Sequence, residues 1–215
     1  MSGSASYPDL RRIARSHFDT ARGSHDWDHT RRVLALCERI GPAEGADMAV
    51  LRPAALLHDI GRSDQDRSSG AVCHAERGAE MARRIVRAIP LSDPRRENII
   101  HAIRAHRFRG NPRPETVEAK VLFDADKLDA IGAIGVARAY LFAGEIGARL
   151  HSPDVDVAAS APYSKDDTGY REYVVKLRGI RDRMLTPTGR TLAEDRHAFM
   201  ESFFERFLSE YGGRM

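Results

Sequence analysis

Apolar residues along this chain recur three and four positions apart, the spacing of a helix with one buried stripe. No run of four to eight residues alternates as a half-buried strand would. Punctuation divides the pattern into elements. Ser24 is placed to cap a helix running to about Ile40, where Gly41 and Pro42 stop it. A second helix runs from about Ala46 to Ile60 and meets Gly61, and a third covers about Ala71 to Ile89. Asp93 followed by Pro94 reads as an N-cap and a first-turn proline, opening a helix to about Arg107. The "RGNPRP" stretch at 109–114 is a turn. Helical spacing then extends from about Glu115 to Gly147, with Gly132 and Gly135 as points of breakage. Tyr170 to Leu185 is helical again, and Thr191 with Glu194 forms a capping box for a last helix to about Tyr211. Phe199, Phe203 and Phe207 share one stripe of that helix and are expected in the core.

Between these helices, 151–169 ("HSPDVDVAASAPYSKDDTG") is long for a connection and rich in Pro, Ser, Ala and Asp, which predicts a mobile loop or lid. There is no internal repeat. A chain of 215 residues suffices for one domain with a continuous core. The expected architecture is an all-α, single-domain helical bundle. Residues 1–22 form a helical extension, 23–150 the core, and 170–215 the helices that complete the same domain.

Composition narrows the setting. Apolar content of 42% and charged content of 30% are ordinary for a globular protein, and no apolar run approaches the roughly 20 residues of a membrane span. The first residues lack a signal-type apolar stretch, so a cytoplasmic protein with no membrane partner is expected. Cys37 and Cys73 have no pairing pattern and read as core residues in a reducing compartment. The net charge of +3 is spread along the chain and forms no stripe, which argues against a nucleic-acid partner and is compatible with an anionic small substrate. Oligomeric state is left open.

The informative positions are polar residues on apolar stripes. "HDWDH" at 25–29 crowds two imidazoles and two carboxylates into a helix start. His29 shares its stripe with Val33, Leu36, Cys37 and Ile40, and His25 lies one turn earlier. His58 follows Val50, Ala54 and Leu57, with Asp59 next. His74 lines up with Gly78, Ala82 and Ile85. His106 lines up with Ile99 and Ile103, whereas His101 points away. Asp126 follows Ala119 and Leu122. One inward histidine is ordinarily a satisfied core residue. Several, joined by carboxylates that are costly to bury alone, are best reconciled by a cation held between helices. His58 and Asp59 point about 100° apart and can share an ion only at a helix end, which Gly61 supplies.

The ordered set His29, His58–Asp59, Asp126 resembles the H…HD…D signature of the HD-domain superfamily, metal-dependent phosphohydrolases. "SHDWDHTRRVLALC", "AALLHDIGR", "HAERGAEMA", "IIHAIRAHRF", "LFDADKLDAIGAIGVARAY" and the tail "MLTPTGRTLAEDRHAFMESFFERF" are together similar to a bacterial subgroup of small HD enzymes associated with nucleotide hydrolysis and pyrophosphohydrolysis. The resemblance covers about residues 23–211. It implies His29, His58, Asp59 and Asp126 as metal ligands. Asp126 is preferred over Asp124 because the family's ligand directly precedes the residue matching Lys127. Asp129 is a supporting candidate. Arg62 stands where some HD enzymes carry a catalytic acid, and no "GYP" triplet follows the histidines. These departures argue against a guanosine tetraphosphate hydrolase and a cyclic di-GMP phosphodiesterase.

Two imidazoles and two carboxylates suit Mn²⁺ or Mg²⁺ best, with Fe²⁺, Co²⁺ or Ni²⁺ as alternatives. His74 and His106 are candidates to orient water or protonate the leaving oxygen, or to hold a second metal. His25, Arg62 and Lys127 are candidates for phosphate contacts. The expected activity is cleavage of a nucleoside triphosphate to monophosphate and pyrophosphate. The alternatives are a phosphomonoesterase or phosphodiesterase on another small ester, a non-catalytic metal- or nucleotide-binding regulatory module, and a scaffold using His–Asp pairs structurally.

Overall fold

A computed structural model describes residues 7–18, 26–68, 70–107, 112–157 and 159–214. All regular elements among them are helices, and the chain groups into two compact units, 1–126 and 127–215.

In the first unit the order is α1 (Tyr7–Ser16), α2 (Trp27–Ala43), α3 (Met48–Leu57), α4 (Arg62–Arg67), α5 (His74–Ile85) with a 3₁₀ turn at Val86–Ala88, α6 (Asp93–Ala105) and most of α7 (Val117–Leu128). The centre is α3. Val50, Leu51, Ala54, Ala55, Leu56 and Leu57 are buried, and only Ala49 and Arg52 are exposed, so most of its circumference must be covered. Helices α1, α2 and α6 pack against it, and α5 packs on α6. From α1, Leu10 and Ala14 are buried one turn apart, and Phe18 is buried just beyond its end.

Several ends differ from the sequence expectation. The Ser24 cap lies outside the described residues; the N-cap of α2 is Asp26, whose carboxylate accepts from the His29 N–H at 2.9 Å. Helix α2 runs through Gly41 and Pro42. A proline in the last turn forfeits one bond, to the Glu38 carbonyl; the helix runs to Ala43, and just beyond it Gly45, with φ of +72°, lets the Ala46 N–H reach the Gly41 carbonyl at 2.9 Å. Helix α3 ends at Leu57, α5 is shorter than its apolar pattern, and the short α4 has no counterpart in the apolar spacing. Ser92, not Asp93, occupies the N-cap of α6.

Helix α7 is held by Glu118, only 8% exposed. Its two oxygens accept from the Asp47 backbone N–H (2.7 Å) and from the Asn98 amide (2.9 Å), tying the start of α3 to α6 and α7. The same helix carries Asp126 two turns later.

In the second unit α8 (Gly132–Glu145) packs on α9 (Gly169–Val175) and α10 (Pro187–Tyr211). The long helical stretch from 115 breaks at 129–131. Arg196 of α10 donates to the Leu128 carbonyl, and Arg138 donates to the Asp129 carboxylate at 2.7 Å. The expected helix 170–185 ends at Val175 and gives way to 3₁₀ turns at Leu177–Gly179 and Arg181–Arg183. Thr186 caps α10; Thr191 lies inside it, so the Thr191–Glu194 box does not start the helix. The buried stripe of α10 is Ala193, His197, Met200 and Phe204, whereas Phe199 is 46% exposed, which corrects the expected phenylalanine stripe by one position. Residues 151–157 and 159–168 contain no helix but are tied by polar contacts. Asp167 accepts from the Tyr163 N–H (2.7 Å) and Arg171 (2.8 Å), and Ser152 donates to Asp166 (2.7 Å).

The turn 58–61 lies directly on the first turns of α5. Gly61 has an ordinary helical φ of −86°, so its role is not conformational. A Cβ there would stand 2.4 Å from the His74 carbonyl oxygen and 2.6 Å from the Gly78 nitrogen, both backbone atoms. Only hydrogen lets the two segments approach this closely. Gly61→Ala is therefore expected to lower unfolding stability by about 1–3 kcal/mol through overpacking. Denaturant melts of the two proteins measure this directly; an unchanged midpoint would show that the turn is not in contact with α5.

Candidate metal centre

Four helices end or begin at one place in the first unit. His29 sits in the first turn of α2, His58 is the C-cap of α3, His74 opens α5, and His106 is the C-cap of α6. All four are buried, at 1%, 0%, 5% and 1% exposure. Their rings form a row, His29–His58–His106–His74, with centroids 5.3, 5.2 and 5.1 Å apart. Asp59, 1% exposed, lies across the row.

The two terminal histidines of α3 and α6 are held alike. Each Nδ1 meets the carbonyl three residues back: Ala55 for His58 at 2.7 Å, Ile103 for His106 at 2.5 Å. Those carbonyls are orphaned by the helix end, and a carbonyl can only accept. The proton is therefore on Nδ1, and Nε2 presents a lone pair. His74 is fixed by a residue that sequence reasoning missed. Gln65 of α4 accepts from His74 Nδ1 at 2.7 Å and from the His74 backbone N–H at 3.3 Å. Nothing in "RSDQDR" distinguishes Gln65 from a solvated helix residue.

Two groups of ligand atoms result. One is His29, His58 and Asp126; the other is Asp59, His74 and His106. In the first, His29 Nε2 is 3.3 Å from both His58 Nε2 and Asp126 Oδ1. Asp59 Oδ2 adjoins it, 3.7 Å from His29 and 3.9 Å from His58. In the second, Asp59 Oδ1 is 3.6 Å from both His74 and His106, whose Nε2 atoms are 3.2 Å apart. Asp59 thus turns one oxygen to each group. Two lone pairs at 3.2 Å cannot bond each other, so a positively charged group is the chemistry that satisfies them. This donor set fits a divalent ion.

Burial dominates the titration of these rings. It pushes His58 down to about 4 despite the neighbouring Asp59, and His74 down to about 2, again against Asp59. Both are neutral at pH 7, the form that ligates metals. Arg62, whose side chain is 15% exposed, extends an NH2 group to both Asp59 oxygens at 3.3 and 3.4 Å.

Of the remaining sequence candidates, His25 lies outside the described residues. Lys127 follows Asp126 in the last turn of α7 and is half-buried. Asp124 is fully buried but joins neither group, and Asp129 pairs with Arg138. His101 sits away from the row and accepts from the Glu115 N–H. Cys37 is a buried free thiol, pushed up by burial and then by the Asp126 charge, while Cys73 is a free thiol at the N-cap of α5. No helix among the described residues is long and apolar enough to cross a membrane.

The HD-domain family model matches residues 26–131. YpgQ of Bacillus subtilis is 32% identical over 211 residues, 95% of this chain and 93% of its own. Its crystal structure in complex with ADP superposes with a TM-score of 0.74 at 30% identity, covering 98% of this chain and all of that one. A predicted HD superfamily hydrolase of an uncultured Thermotogales bacterium gives 0.69 at 29% identity, covering 95% and 92%. Ribonuclease Y of Chloroflexus aurantiacus is 33% identical over 123 residues, 57% of this chain but 22% of its own length. With the paired imidazoles and carboxylates in place and YpgQ matched nearly end to end, the chain belongs to the HD-domain superfamily of metal-dependent phosphohydrolases.

Proposed function

We propose that this phosphohydrolase acts on nucleotides in the cytoplasm, cleaving a nucleoside triphosphate between the α- and β-phosphates to give a monophosphate and pyrophosphate. The observation that carries the nucleotide assignment is the full-length similarity to YpgQ, whose structure holds ADP. His29, His58, Asp59 and Asp126 would hold a divalent ion, Mn²⁺ or Mg²⁺ by the mixture of imidazole and carboxylate. When bound, the ion supplies a Lewis acid that polarises the phosphoryl group and lowers the pKa of water.

The chain's own residues supply positioning, which is most of what phosphoryl transfer requires. His106 Nε2 and His74 Nε2 are lone-pair acceptors locked by their Nδ1 bonds. They can orient an attacking water by accepting its hydrogen. A ring held neutral down to about pH 2, as His74 is, is ill suited to protonate a leaving oxygen. Arg62 and Lys127, which follow Asp59 and Asp126 closely in the sequence, are the cations we assign to phosphate contacts. The similarity to ribonuclease Y favours a second reading, phosphodiester cleavage, over a phosphomonoesterase.

Three outcomes check this reading. Asp126→Ala is expected to strip Mn²⁺ from the purified protein, measured by elemental analysis; wild-type content would move the ligand to Asp124. His106→Ala is expected to lower turnover at least about tenfold, with His101→Ala mild. Equal losses would mean that the inward face of α6 is misassigned. Incubated with a deoxynucleoside triphosphate and Mn²⁺, the enzyme should release stoichiometric pyrophosphate. Orthophosphate with accumulating diphosphate would refute the cleavage position, and activity confined to an RNA oligonucleotide would favour the second reading.

A further inference from the structure

We infer that Arg62 is the cation of the Asp59–His74–His106 group, so that the enzyme carries one divalent ion and not two. This rests on the metal-dependent reading above and specifies it. The guanidinium NH2 contacts both Asp59 oxygens and stands 3.5 Å from His74 Nε2. It is therefore already in contact with two of the three atoms that a second ion would need. Its position is set by the chain. Arg62 opens α4 three residues after Asp59, immediately beyond the turn that Gly61 presses onto α5.

The side chain accepts a cost to be there. Its Nε is buried without a hydrogen-bond partner. The attraction of the buried Asp59 carboxylate is what offsets that cost. A lysine in this place could yield to an incoming ion by losing its proton, but a guanidinium stays charged throughout the accessible pH range. A divalent ion on the same three atoms would face that fixed charge where little water screens it. It would also have to take Asp59 Oδ1 away from Arg62. Arg62 thus meets the group's need for positive charge while its guanidinium spans both Asp59 oxygens. In the reaction, the ion and Arg62 together would neutralise phosphate charge that two ions would otherwise share.

The test counts ions on the full chain, stripped with chelator and reloaded with Mn²⁺, by elemental analysis and by calorimetric titration. One equivalent is expected for the wild type and two for Arg62→Met. The double variant Arg62→Met/His74→Ala should return to one. Paramagnetic resonance is an independent readout, with an isolated-ion spectrum in the wild type and a coupled pair in Arg62→Met. Two equivalents in the wild type, or one in a folded Arg62→Met, would overturn the inference and leave the metal-dependent reading intact. No Mn²⁺ on the wild type would overturn both. Arg62→Gln replaces Arg62→Met if circular dichroism shows the latter unfolded. His74→Ala alone removes only the second group, so it should keep the wild-type count and affinity; Mn²⁺ binding weakened tenfold would overturn the inference.

Discussion

The fold is organised around a carboxylate that could not be buried alone. Asp59 is 1% exposed, and an isolated charge at that depth is prohibitively costly. It is tolerated because four imidazoles and a guanidinium converge on it. That convergence dictates where helices may stop. His58 and His106 each stand at a helix end, where an orphaned carbonyl is free to receive Nδ1–H and thereby turn Nε2 inward. The same backbone bonds that satisfy the ends of α3 and α6 thus fix the tautomers on which ligation depends.

Support for this arrangement is mostly steric and local. Gly61 and α5 meet at backbone distance, which brings His74 beside the turn that carries His58 and Asp59. Gln65 then holds the His74 ring from α4. Glu118 anchors the helix that carries Asp126. None of these three residues touches an ion in the proposed reading, yet each positions a residue of the His–Asp cluster.

Asp59 also gives the site its asymmetry. One oxygen faces His29 and His58, the other faces His74 and His106, and Arg62 reaches both from the side of His74. Similar ligand chemistry on both sides is differentiated by one permanent cation.

Helical spacing determined the all-α class, because a 3.6-residue period follows from side-chain burial within each segment alone. It also placed His29, His58, His74, His106 and Asp126 on inward faces, since a polar residue on an apolar stripe is visible without knowing the partner helix. Helix ends were less legible. Pro42 and Gly41 are strong local stop signals, but α2 continues through both to Ala43 because a last-turn proline loses only one bond. The phenylalanines of α10 are apolar by type, yet Phe204 and His197, not Phe199, face inward, since neighbouring helices select the buried stripe. Only the tertiary structure decided that Asp59 serves two groups of ligands, that Gln65 orients His74, and that Arg62 lies against the carboxylate. Those facts depend on distances between segments far apart in the chain or on how a turn is pressed against a neighbour, and local sequence carries no record of either.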